Sequence, residues 1–260
     1  MAASSKAYTL TPEMIAYARE VAPRWNVSPE LHEHDQLMGY FINNARMDPI
    51  DAVKSYFAGG SSDARSIVAL ADRLGVSKQM LEFASGYGRV TRHLPPMLGG
   101  RPFLASDIHD NACEFISDKL GVNAVVSTTQ ASDLKIADKQ EFIFVLSFFS
   151  HLPEASFGPW IKALYDMLSP GGYLMFTTHG DYALNHNPEW FGIGFDRAKG
   201  FGFRPDSDQA DLDNKQYGTA VVSNAFVEKT FSVFAPDAEL HSFSSRAWFG
   251  LQDEWIIHKP

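Results

Sequence analysis

Between residues 79 and 179 the spacing of apolar positions switches back and forth between two patterns. Short apolar runs at 79–84, 102–107, 123–127, 141–147 and 173–179 have the length and density of strands buried on both faces. Between them, 88–98, 110–120 and 156–168 repeat apolar residues every three to four positions, as helices covering a sheet do. Strand alternating with helix predicts a parallel α/β sheet with right-handed crossovers. Ligands of such sheets lie beyond the carboxyl ends of the strands, here the first, second and fourth.

On either side of this block the pattern changes. Residues 12–57 read as short helices: Thr11 caps, Pro12 starts, Met14, Ile15, Tyr17 and Ala18 keep helical spacing, and Pro23, Pro29 and Pro49 interrupt. Gly59-Gly60-Ser61-Ser62 reads as a turn, with Ser62-Asp63 capping a helix over 64–74 that stops at Gly75. After 181 the periodicity is lost to 220, in a stretch rich in Gly, Phe, Asp and Asn. Ser223 then caps a helix to about 234, and strands at 239–245 and 252–258 flank Trp248-Phe249-Gly250, predicting a closing antiparallel hairpin. The expected organisation is an N-terminal helical cap, 1–75, and a Rossmann-like domain, 76–260, with a lid-like insertion around 181–222.

The densest chemistry lies in Glu82-Phe83-Ala84-Ser85-Gly86-Tyr87-Gly88-Arg89, which follows Met80-Leu81. An acid closing a strand, then a glycine-containing turn into a helix, suits an adenine-bearing ligand: glycine lets the backbone come close and a helix start offers N–H groups. The second strand ends in Asp107, 19 residues past Gly88, near the spacing at which a carboxylate meets ribose hydroxyls. Two further segments follow in order. One is the apolar run from Glu141 into Ser147-Phe148-Phe149-Ser150-His151-Leu152. The other is Leu168-Ser169-Pro170-Gly171-Gly172-Tyr173-Leu174-Met175-Phe176.

These four segments resemble the class I S-adenosylmethionine-dependent methyltransferases, whose sheet has seven strands, mostly parallel, and ends in an antiparallel hairpin. Ala84 stands where the first glycine of the family's turn usually does. The resemblance implies S-adenosyl-L-methionine as cofactor, with Glu82 at its amino-acid end, the backbone of Ala84, Ser85 and Gly86 beneath it, and Phe83, Gly88 and Arg89 completing the turn. It implies Asp107 on both ribose hydroxyls, Ile108 on the adenine face and Gln130, Ala131 and Ser132 near the adenine amino group. Ser147 and Phe149 would follow the fourth strand where cofactor and acceptor meet, the Phe149 ring facing the sulfonium. Such an enzyme needs no catalytic triad, only positioning and, for some acceptors, a base.

His151 is the first candidate base and His179, ending the fifth strand, the second. Trp190, Phe195, Phe203 and Tyr217, in the irregular segment, are candidate walls for an acceptor. The expected reaction is methyl transfer to a small molecule, by base rate at oxygen. A nicotinamide-dependent oxidoreductase on the same half-fold and a non-catalytic cofactor-binding regulator are the alternatives; the Pro-Gly-Gly strand and the terminal hairpin argue against the first.

Charge and composition narrow the partners. The 260 residues are 45% hydrophobic and 20% charged, as in ordinary globular enzymes, and carry a net charge of −9 with no basic run. That balance weighs against a nucleic-acid partner, whose phosphates are met by Lys and Arg. Residues 1–10 lack a signal-like apolar core, 142–149 is too short to span a bilayer, and Cys113 alone forms no internal disulfide, so a cytoplasmic location is expected with no membrane partner. Cys113 reads as a small core residue. His32-Glu33-His34-Asp35 suggests a metal site, but residues two apart do not share a helix face, and a solvated helix is expected. Asp206, Asp208, Asp211 and Asp213 lack the glycine and closing glutamate of a calcium loop and read as a solvated acidic loop. No metal is expected. The helical cap could cover the site or pair two chains in a homodimer.

Overall fold

The structure, a computed structural model, describes residues 7–192, 194–206, 209 and 212–260. Asp208 and Asp211 of the acidic loop lie outside the described residues. The chain divides into two compact units, one running to Ser127 and one beginning at Thr128 and taking nearly all that follows.

In the first unit, α1 (Pro12–Val21) starts as expected, with Thr11 Oγ1 accepting the Met14 N–H at 3.3 Å. The 32–35 segment is not the solvated helix expected. Its Asp35 is buried and caps the short α2 (Gln36–Gly39), accepting from the Leu37 and Met38 amides at 3.0 and 3.1 Å. The next helix, α3 (Pro49–Arg73), runs straight through the predicted Gly59-Gly60 turn. A Cβ at Gly60 would stand 2.3 Å from the Arg89 carbonyl oxygen, so this glycine lets the helix touch the chain after the first strand. Glycine here serves close approach rather than chain reversal.

Strands β1 (Met80–Phe83), β2 (Phe103–Asp107) and β3 (Ala124–Val126) pair in parallel, Glu82 opposite Ala105 and Asp107 opposite Val126. The helix predicted over 88–98 is replaced by turns and a short 3₁₀ segment, Thr91–His93. Pro95 and Pro96 have no N–H to give the Thr91 and Arg92 carbonyls, so a regular helix cannot continue. The predicted 110–120 helix forms as α4 (Asp110–Phe115), widened into a π turn to Leu120 and ended by Gly121 at φ +70°. Cys113 is buried in it, and burial pushes its thiol up to about 11, which fits a core residue rather than a nucleophile.

The second unit holds β4 (Gln140–Val145), α5 (Glu154–Asp166), β5 (Leu168–His179), α6 (Asp181–His186), α7 (Pro188–Phe191), β6 (Phe201–Arg204), β7 (Thr219–Val222), α8 (Asn224–Phe234), β8 (Glu239–Trp248) and β9 (Gln252–His258). Its core is aromatic: Phe142, Phe144, Phe149, Phe157, Phe176 and Trp255 are almost wholly buried. Ser223 caps α8 on the Phe226 amide, as the sequence predicts. The 181–220 stretch is more regular than expected, holding α6, α7 and the antiparallel β6–β7 pair. These elements are four to six residues long, too short for a period to emerge.

Seven strands follow the order β3-β2-β1-β4-β5-β9-β8, with β8 and β9 antiparallel: the Rossmann-like methyltransferase topology the sequence predicts. Among the described residues no helix is long and apolar enough to cross a membrane.

Candidate active site

Three left-handed residues alternate through the turn after β1: Ala84 at φ +60°, Gly86 at +56° and Gly88 at +75°. Each serves differently. Nothing lies within 4 Å of where a Gly86 Cβ would be, so that face of the turn is open. A Gly88 Cβ would meet Leu120 at 2.4 Å, so that face is packed. Ala84 carries a Cβ in a conformation costing about 1–2 kcal/mol. Ala84→Gly should therefore leave stability unchanged or raise it by up to about 1 kcal/mol, because glycine's extra unfolded-state entropy offsets part of the relief. A urea midpoint measures this; a clear loss of stability would mean that the alanine methyl packs productively.

Two carboxyls flank the turn. Glu82, 5% exposed at the end of β1, accepts the Thr91 hydroxyl at 2.6 Å, and burial pushes its carboxyl up to about 8. Asp107, also 5% exposed, accepts the Gly86 N–H on Oδ2 at 2.7 Å. Its Oδ1 takes the His109 amide at 3.1 Å and lies 2.9 Å from His109 Nδ1. A carboxylate has about four lone-pair positions, so roughly one remains beyond these three contacts. The amide and hydroxyl of Ser85 both give to the Ser106 carbonyl, tying the turn to β2.

The N-terminal helices hold this turn in place. Arg92, 3% exposed, gives Nε to the Gly88 carbonyl and Nη1 to those of Ser28 and Glu30, beneath the rings of Tyr56 and Phe57 at 5.2 and 5.1 Å. Arg89 pairs with Asp63 of α3, and the His32 ring stacks on Tyr87 at 4.5 Å.

In the second unit one hydrogen-bond chain fixes the protonation of a candidate base. The Ser147 amide gives to Thr177 Oγ1 at 2.8 Å, so the threonine hydroxyl gives onward to Gln252 Oε1 at 2.7 Å. The Gln252 amide nitrogen then faces His179 Nε2 at 3.3 Å, and His179 Nδ1 gives to the Ala220 carbonyl at 3.1 Å. A carbonyl can only accept, so His179 is the Nδ1–H tautomer with Nε2 as acceptor. Buried, it is held down to about 3. His151 is tied to the same segment: Nδ1 gives to the Gly218 carbonyl at 2.7 Å, the Gly218 amide returns to the His151 carbonyl at 2.9 Å, and Tyr217 stacks on the ring at 4.8 Å. That bond leaves Nε2 as the basic nitrogen of His151.

A family profile described as a methyltransferase domain matches residues 80–172, which hold the turn, Asp107 and Pro170-Gly171-Gly172. This segment carries a methyltransferase domain. Solved structures of similar fold include an S-adenosylmethionine-dependent methyltransferase from Clostridium acetobutylicum, 15% identical over 85% of this chain and 96% of that one, with a TM-score of 0.56. The glycopeptide N-methyltransferase MtfA, solved with S-adenosyl-L-methionine, is 14% identical over 77% and 87% at 0.55. Magnesium protoporphyrin IX methyltransferase from Synechocystis PCC 6803 is 14% identical over 80% and 87% at 0.51. A sequence search of curated proteins finds none that matches.

Of the residues predicted to hold the cofactor, Glu82, Phe83, Ala84, Ser85, Gly86, Gly88 and Asp107 come together around the turn, with Ile108 half-buried just after β2. The Arg89 side chain points instead to Asp63. Gln130 and Ser132 are exposed and Ala131 half-buried, around a 3₁₀ turn that starts at Ala131. Ser147, at φ +56°, gives its hydroxyl to Gln252 at 3.1 Å. Phe149 does not face a ligand: it is fully buried, 4.9 Å from both Phe157 and Phe176, because the 3₁₀ turn at 149–151 rotates its ring into the core.

Among the expected acceptor walls, Tyr217 meets His151, whereas Trp190 is exposed and carries the Arg204 guanidinium over its ring at 3.3 Å. Phe195 backs onto Gly202. Phe203 lines an open groove of about 670 Å³ with Phe201 and Phe234, beside the Lys199–Glu154 ion pair. The sequence reading missed Gln252, Thr177 and Thr91. For Gln252 the signal was strand register, since it lies directly opposite His179.

Burial sets the pH response. His93, with both ring nitrogens unpartnered, is held down to about 3 like His179, while Glu82 is raised. Below pH 6.5 the unfolded chain takes up the two histidine protons and the folded chain does not, which removes about 1.4 kcal/mol per pH unit for each. Glu82 works oppositely between 4.5 and 8, where the folded chain holds the extra proton. From these three groups, stability should rise by about 1.4 kcal/mol per pH unit from 4.5 to 6.5 and decline above 6.5. Urea midpoints at pH 5, 6.5 and 8 should peak at the middle value; a monotonic series contradicts the assignment.

Proposed function

We propose that this protein is a methyltransferase that moves the methyl group of S-adenosylmethionine to a hydroxyl of a small molecule, with His151 as general base. The observation that carries the cofactor half is Asp107, which fixes the open Gly86 turn with one oxygen and keeps a lone pair for a ligand hydroxyl. Glu82 would meet the cofactor's amino-acid end, and Ile108 the adenine. A second ribose hydroxyl on Asp107 requires the His109 ring to turn away. S-adenosylmethionine brings a methyl on a sulfonium, electrophilic without help from the protein.

The chain's part is to bind, orient and take a proton. His151, oriented through Nδ1 by Gly218, would take the acceptor's proton at Nε2. His179 instead fixes the Ala220 segment, because its Nε2 already accepts from Gln252 and its basicity is low. The helical segment 1–75 serves as a cap that braces the cofactor turn, and 181–222 as the wall of the acceptor site. Two structural relatives are named for a glycopeptide and for magnesium protoporphyrin IX, and the net charge of −9 disfavours a nucleic-acid acceptor. Transfer to nitrogen is the second reading, favoured by the relative named as an N-methyltransferase.

Calorimetric titration with S-adenosylmethionine, S-adenosylhomocysteine and NAD tests the cofactor. Micromolar binding of the two adenosyl compounds supports the reading, and binding of NAD alone would sink it. Release of S-adenosylhomocysteine with panels of phenols, carboxylic acids and amines then separates oxygen from nitrogen. His151→Asn should lower the rate on hydroxyl acceptors by about 100-fold or more, with cofactor affinity unchanged.

A further inference from the structure

Glu82 lies in an unusual setting for an acid. Its carboxyl is buried, and among the described residues its one hydrogen-bond donor is the Thr91 hydroxyl and no ion pair reaches it. Among the described residues three charged groups act on it. Arg89 lies on its own turn but is bonded to Asp63; Asp63, on α3, and Asp107, at the end of β2, are both negative. His109 stands beyond, against Asp107. Two acids and one already paired guanidinium leave an ionised Glu82 without a counterion in low dielectric, so the neutral form is favoured.

We infer that Glu82 makes ligand binding proton-coupled: its carboxyl carries a proton before the ligand arrives and releases it when a cationic ammonium group takes its place. The inference rests on the reading that S-adenosylmethionine binds here with its amino-acid end at Glu82. The carboxyl O–H bond breaks, the proton passes to buffer, and the carboxylate remains paired with the ligand's ammonium. Burial pushes the carboxyl's pKa up to about 8, in agreement with this geometry. Glu82 is thereby a specificity residue: the site favours adenosyl ligands that bear an ammonium group over those that lack one. Adenosine leaves the carboxyl protonated.

The test is calorimetry on the full chain at pH 6.5 in two buffers of different ionisation enthalpy, with S-adenosylmethionine and with adenosine. Close to one proton should be released per S-adenosylmethionine bound and close to none per adenosine. Affinity for S-adenosylmethionine should tighten about tenfold from pH 6 to pH 7. Glu82→Gln, which keeps the shape but cannot ionise, should bind without proton release. A count near zero for the unaltered chain, or an unchanged count in Glu82→Gln, overturns the inference.

If S-adenosylmethionine binds at neither pH, the cofactor reading fails instead. Infrared spectroscopy of the ligand-free chain then still decides the proton. A carboxylic-acid carbonyl band at pH 6.5 that Glu82→Gln removes supports the inference, and its absence overturns it.

Discussion

Asp107→Ala is expected to weaken S-adenosylmethionine binding by about 100-fold, at the upper end of what a lost ribose contact alone predicts. A hydrogen bond to a charged group contributes about 1.5–3 kcal/mol, or roughly 10- to 100-fold in affinity. In this fold the same carboxylate also anchors the Gly86 amide at 2.7 Å and the His109 amide at 3.1 Å, so the substitution loosens the turn that forms the rest of the cradle. The effect should therefore fall at the upper end. Asp107→Asn keeps an acceptor oxygen for one of these partners and should lose only about 10-fold. Titration calorimetry of both variants checks the order, and near-native affinity in Asp107→Ala would remove Asp107 from the cofactor site.

Gly60→Ala is expected to destabilise the fold by about 2 kcal/mol or more, against the ordinary trend. Inside an exposed helix, alanine for glycine gains about 1 kcal/mol. Here the new methyl would stand 2.3 Å from the Arg89 carbonyl and 3.1 Å from the His93 ring. The carbonyl belongs to backbone and cannot swing away, so helix or turn must shift, at about 1–3 kcal/mol or more for overpacking. Gly59→Ala, one position earlier, is the control: its nearest neighbour is the end of the Arg89 side chain at 3.2 Å, which can move, so that variant should be neutral or slightly stabilised. Urea denaturation of the pair separates the two. Equal responses would show that the contact between α3 and the turn is soft.

That contact marks the limit of local reading. Two adjacent glycines in a polar stretch look like a turn, and nothing nearby in sequence reveals that Arg89, 29 residues on, presses against one of them. The predicted 88–98 helix failed for a local reason that was legible, the two prolines at 95 and 96. Phe149 was placed by its position after a strand, but the direction of its ring depends on a 3₁₀ turn that leaves no period in the sequence.

The sequence by itself determined the alternation of strand and helix, the closing hairpin and the two acids after β1 and β2. These are set by short-range rules: apolar period, glycine in a left-handed turn and a carboxylate at a strand end. Only the tertiary structure decided the tautomer of His179, what holds the glycine turn and why Glu82 favours its proton. Gln252 meets His179 through strand register, Arg92 reaches Ser28 across 64 residues, and Glu82 loses its counterion because Asp63 holds Arg89. Acidity and tautomer depend on burial and on partners brought from distant segments, and a residue's near neighbours in sequence do not specify either.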